Sequence, residues 1–229
     1  MAIKLQLSDQ QTKDWDRIIE LPLDGLDRLL QELLKLDKPG MRIKELRKRI
    51  NTALGSEKDG TLLGRHLIRL ATLNDDENVS PDIAIDAVSE ALASIGWSDE
   101  KLDKLTKIRP ILVSLLNTDS VCYVAKSLRL TYSQSNLLQD SKIVTDIRPV
   151  FSKDRTGIIG AIIIQTLSID YIENGRHKTI SFALDDGDLE NIRDISTQSL
   201  NKAKLSKKLV TDNCDLTAYI AGEDSDGNS

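Results

Sequence analysis

Acid–base or metal chemistry in this chain would have to begin at His66 and His177, its only two histidines. Imidazole is the side chain that changes charge near neutral pH and the commonest metal ligand. Neither histidine has a second histidine or a cysteine at ligand spacing, and neither belongs to a recognisable nucleophile–base arrangement. His66 lies on a helical stripe with Leu62, Leu63, Leu67 and Leu70 and reads as a core residue. His177 opens a strand beside a turn, where exposure is expected. Cys122 and Cys214 are too few for a disulfide framework or a thiolate metal site and suit a reducing cytosol. Gly157-Ile158-Ile159-Gly160 lacks the third glycine, the lysine and the following helix of a phosphate loop. Asp185-Asp186-Gly187-Asp188 lacks the alternating ligands and terminal glutamate of a calcium loop, so these aspartates read as a helix cap. No catalytic, cofactor-binding or metal-binding residue emerges, and the chain reads as non-enzymatic with no cofactor.

Two features offer binding chemistry. Arg42, Lys44, Arg47, Lys48 and Arg49 place five cations within eight residues of one helix. Clustered cations can bind phosphates by releasing counterions from a polyanion. Ile43, Leu46 and Ile50 take the inward face of that helix, which leaves the cations a solvated one. The second feature is the run Ile158 to Ile164. Alternate positions Ile159, Ala161, Ile163, Leu167 and Ile169 define one apolar face of a strand. On the other face Ile158, Ile162 and Ile164 are apolar, whereas Thr166, Ser168 and Asp170 are not. One helix covers one face of a sheet, so these three isoleucines need a second cover from the rest of the chain or from another polypeptide.

The elements that position these residues fall into two halves. From about Ser8 to Leu138 the apolar spacing is helical, and about seven short helices are expected. Ser80-Pro81 is the clearest helix start: a hydroxyl cap precedes proline where no backbone donor is required. Gly96 ends that helix, and Pro110 is expected to kink the next one or to start another. From Asp140 the period becomes two. Strands are expected up to about Phe151, over Gly157 to Tyr171 and over His177 to Leu184, with Asn174-Gly175 as a hairpin turn. A final helix follows over about Asp188 to Leu209, with Leu189, Ile192 and Ile195 inward. The fold class is α+β: an amino-terminal all-helical bundle, then a small three-stranded antiparallel sheet with a carboxy-terminal helix. The expected divisions are a helical domain over 1–132, a β-β-β-α domain over 137–215 and a disordered acidic tail over 216–229.

Composition excludes some partners. The 229 residues carry 31 basic and 36 acidic side chains, a net charge of -5, and only 3% are aromatic. Few aromatics argue against stacking on nucleic-acid bases. The amino terminus has no apolar stretch of signal-peptide length, and no uncharged apolar run approaches the ~20 residues that span a bilayer. A cytoplasmic protein without membrane insertion is expected.

The segments Lys142-Ile-Val-Thr-Asp-Ile147, Ala161-Ile-Ile-Ile-Gln-Thr-Leu-Ser168 and Thr179-Ile-Ser-Phe-Ala-Leu184, leading into Leu189-Glu-Asn-Ile192, resemble the COMM domain in order and spacing. A helical amino-terminal half before them is similar to the architecture of COMM-domain proteins. Ile143 stands where that family usually carries tryptophan, and Thr145-Asp146 where it carries Val-Asp. The resemblance implies a scaffold or adaptor that pairs with itself or a related protein, with no catalytic residue. The function expected is a protein-interaction and assembly module that oligomerises through its carboxy-terminal sheet, with Ile158, Ile162 and Ile164 as contacts. The alternative is a nucleic-acid-associated accessory protein that binds through Arg42–Arg49.

Overall fold

The structure is a computed structural model and describes residues 5–76 and 79–222. Seven helices come first: α1 Asp9–Ile18, α2 Leu23–Leu34, α3 Ile43–Leu54, α4 Glu57–Asp76, α5 Pro81–Ser94, α6 Asp99–Leu116 and α7 Asp119–Thr131. Strands β1 Asn136–Phe151, β2 Ile158–Glu173 and β3 Arg176–Leu184 follow, then α8 Asp186–Cys214. The α+β class and the order of elements are those read from the sequence.

The chain divides into a helical unit, residues 1–130 with 210–229, and a sheet unit, residues 131–209. The described end of the chain, through Gly222, is grouped with the helices. Thr217 and Tyr219 pack on the helical unit, so the described part of the segment expected as a free tail, 216–222, is ordered against α3 and α7; residues 223–229 lie outside the described ones.

Local chemistry explains the helix limits. Ser8 caps α1 in a reciprocal box, its Oγ accepting from the Gln11 N–H while the Gln11 side chain accepts from the Ser8 N–H at 2.8 Å. Ser80 Oγ accepts from the Ile83 N–H at the start of α5, with Pro81 in the first turn. Pro110 neither splits nor ends α6, which runs unbroken through it.

The helical core is aliphatic around one tryptophan: Trp15, Leu26, Leu29, Leu46, Ile50, Leu63, Leu67, Ile85, Leu92, Leu105 and Leu112 are fully buried. The closest helix approach is α3 on α4. A Cβ at Gly60 would overlap the Asn51 side chain and come within 2.8 Å of the Asn51 backbone. Gly60→Ala is therefore expected to destabilise the helical unit by about 1–3 kcal/mol, although alanine is the better helix former by about 1 kcal/mol. Urea unfolding followed by circular dichroism checks this; a more stable variant would refute the close crossing.

In the sheet, β2 is central and both neighbours are antiparallel. The β2–β3 turn has Asn174 and Gly175 at φ 50° and 76°, the positive values a type I′ turn demands. Asp185 and Asp188 form the cap of α8: each carboxylate accepts from the other's backbone N–H, at 2.8 and 3.0 Å.

Candidate interaction surface

The feature that sets the sheet unit apart is its lack of an interior. No described residue from 126 to 222 is buried, whereas every buried apolar side chain lies between Trp15 and Ala125. Of the side chains expected inward on α8, Leu189 and Ile192 are only half-buried and Ile195 is exposed. Leu200, Leu205 and Leu209 are exposed as well. The expectation that α8 closes one face of the sheet is thus corrected: both faces are open.

Pairing register shows which side chains share each face. Ile147 stands opposite Ile163, Ile143 opposite Leu167, and Leu167 opposite Phe182. Partners across an antiparallel pair point to the same face, so Ile143, Ile147, Ile163, Leu167, Ile180 and Phe182 share one face, on which the hydrogen-bonded pair Thr145–Gln165 separates Ile147 and Ile163 from the rest. Ile147 and Ile163 are 71% and 66% exposed. The opposite face carries the residues singled out from the sequence. Ile158 and Ile162 are 64% and 56% exposed, and Ile164 is half-buried. Here Ile162 is opposite Arg148 and Ile164 opposite Asp146, so charged residues of β1 interrupt this face, although Val150 and Phe151 extend it opposite Gly160 and Ile158. The larger surface was missed because each strand was read alone; alternation in 143–147 was visible, but its register against 163–167 was not.

The basic cluster on α3 is partly committed to acids. Arg42 lies 3.3 Å from Glu45 and 5.1 Å from the centre of the Tyr219 ring. Arg49 is paired with Glu32 on α2. Lys44, Arg47 and Lys48 are exposed. Two of the five cations are thus paired with carboxylates and three are exposed.

The closing segment uses this neighbourhood. Asp215 pairs with Lys38, the Tyr123 hydroxyl donates to the Thr217 carbonyl at 3.5 Å, and the Tyr219 hydroxyl donates to Glu45 at 3.4 Å. A Cβ at Gly40 would meet the Thr217 Cβ at 3.0 Å, so the close approach favours glycine there.

His66 occupies the core of the helical unit, 5% exposed, edge-on to Trp15 at a centroid distance of 5.3 Å. Its Nε2 lies 3.0 Å from Asp14 Oδ2, which also accepts from Arg65 at 2.7 Å, while Gln10 donates to Oδ1 at 2.9 Å. Burial pushes the imidazole below its ordinary value and outweighs the hydrogen bond it donates to Asp14, which favours the cation. Burial alone would raise the Asp14 carboxyl. Hydrogen bonds from His66 and Gln10, with the Arg65 charge, carry it below the usual range instead. His66 is then neutral at pH 7, donating from Nε2. With its pKa depressed in the folded state, it binds a proton more readily when unfolded. The resulting stability is present above pH 6.5 and is lost as pH falls through the folded value. The urea midpoint of the helices is expected to drop between pH 7 and pH 5, and His66→Gln to flatten that dependence. An unchanged slope in the variant would contradict the assignment.

Among the described residues, no group of histidine, cysteine, aspartate or glutamate side chains converges on a metal position. Cys122 and Cys214 are free thiols. None of the described helices is long and apolar enough to cross a membrane. No protein-family model matches the chain, and no curated protein matches it in sequence.

Proposed function

We propose that this chain is a non-enzymatic assembly module that oligomerises through its sheet unit, with a second copy or a related chain as partner. The observation that carries the reading is a stretch of roughly 80 residues, Thr131–Leu209, with regular strands and a long helix but no buried side chain. Ordering a backbone costs about 1–2 kcal/mol per residue, and this unit has no apolar interior of its own to offset that cost. Exposed apolar side chains gathered on one face of an ordered element mark an interaction site. Order and spacing like those of the COMM domain support the same scaffold role, and free thiols suit a cytoplasmic setting. The committed cations on α3 and the net charge of -5 weigh against the nucleic-acid alternative.

Light scattering on the full chain at micromolar concentration tests the proposal. A dimer or larger assembly is expected, and a monomer with a folded sheet would overturn it.

A further inference from the structure

We propose that Gly160–Ile164 of β2 pairs antiparallel with the same stretch of a second copy, joining two sheets edge to edge through their backbones. This rests on the assembly reading above and specifies its geometry. Three observations lead to it.

The first is a half-empty lane beside β2. On one side β1 pairs along the whole length of β2, down to Phe151 opposite Ile158. On the other side β3 stops at Leu184 opposite Gln165, so 158–164 has no strand next to it among the described residues. Glu173 and Arg176 close a two-residue hairpin and form a hydrogen-bonded pair there. Register is unbroken from that pair to Gln165, so the odd-numbered residues of β2 turn their N–H and C=O toward β3. Continued past Gln165, the alternation aims Ile163 and Ala161 into the empty lane. Pro149 agrees with this parity. It stands opposite Ala161, and a residue without an N–H fits a pair that is not hydrogen-bonded.

The second is that this edge carries none of the usual protection. Pro149 interrupts the outer edge of β1, which also bears Lys142, Asp146 and Arg148. The outer edge of β3 bears Arg176, His177 and Lys178. The segment 158–164 has neither proline nor charge, only five isoleucines, Gly160 and Ala161.

The third observation selects a second copy as the occupant. An antiparallel partner with its two-fold axis at Ile162 sets Ala161 of each copy against Ile163 of the other. The incoming strand then begins at Gly160, opposite Ile164, just where β3 of the first copy ends at Leu184 opposite Gln165. Ile159 lies at the register shift between Val150 and Phe151, where a bulge bends the incoming strand out of the lane. That places its preceding loop, with Lys153 and Arg155, at the start of α8, where Asp185, Asp186 and Asp188 stand. Asp154 is held within its own loop by Ser152 at 2.5 Å and Thr156 at 2.8 Å, leaving the two cations to face the acids. Two-fold symmetry makes the match twice.

Hydrogen exchange on the full chain, under conditions where light scattering reports an assembly, reads the pairing directly. The Ala161 and Ile163 amides are expected to exchange as slowly as those of Ile162 and Ile164, which face β1. Fast exchange at Ala161 and Ile163 in an assembled sample would overturn edge pairing while leaving assembly intact; a monomeric sample would overturn both. Ala161→Pro removes an N–H that no strand of its own chain uses, so the dissociation constant is expected to rise about tenfold or more with the circular dichroism spectrum kept. Charge reversal covers the case in which proline unfolds the sheet. Arg155→Glu and Asp186→Arg should each weaken assembly at low salt, and the double variant should restore it. Additive weakening in the double variant would refute the proposed placement of loop against helix.

Discussion

An aspartate in place of Ile163 is expected to dissociate the assembly. Ile163 lies within the larger apolar face, opposite Ile147 and four residues from Leu167. If that face is covered by a partner, the substitution buries a carboxylate with no cation across the strand pair. Leaving a buried charge uncompensated costs about 3–5 kcal/mol, which raises a dissociation constant by roughly two to four orders of magnitude. The helical unit should be unaffected, because none of its core side chains lies in the sheet. Sedimentation or light scattering across a dilution series measures the change, and circular dichroism verifies that the helices persist. An assembly of unchanged mass and affinity would show that this face is not covered by the partner.

The second large effect concerns the two units expressed separately. The helical core lies between Trp15 and Ala125, so residues 1–132 are expected to remain soluble, helical and cooperatively folded. They lose the closing segment, with its contacts to Lys38, Gly40 and Tyr123, and should be somewhat less stable than the same helices in the whole chain. Residues 137–215 are expected to be ordered only as an oligomer and to lose their sheet signal on dilution. A three-stranded sheet and a helix without buried side chains cannot hold their own conformation against chain entropy. Gel filtration with circular dichroism on both fragments decides the matter. A monomeric, cooperatively unfolding 137–215 fragment would show that the isoleucine strand needs no partner.

These two predictions draw on different sources. The first depends on register, a tertiary fact. The second was already implicit in the change of apolar period from helical to alternating. Ser80-Pro81, Asn174-Gly175 and the aspartates at 185–188 acted as written, since a cap or a type I′ turn is satisfied within a few neighbouring residues. Pro110 did not. A missing N–H can be tolerated within a helix whose Leu105, Ile108, Leu112 and Leu115 are held in a core, and that support comes from elsewhere in the chain.

By itself the sequence determined the class, the element order, the core role of His66 and the isoleucine-rich strand. Each depends on periodicity or on contacts within one element. Only the tertiary structure decided that α8 leaves the sheet uncovered, that Ile147 and Ile163 share its larger apolar face, and that β3 ends too soon to pair with 158–164. It also decided that Tyr219 returns to Arg42 and Glu45. Those facts concern residues far apart in the chain, whose meeting depends on strand register and length, and alternation along a single strand carries no information about where its neighbour begins or stops.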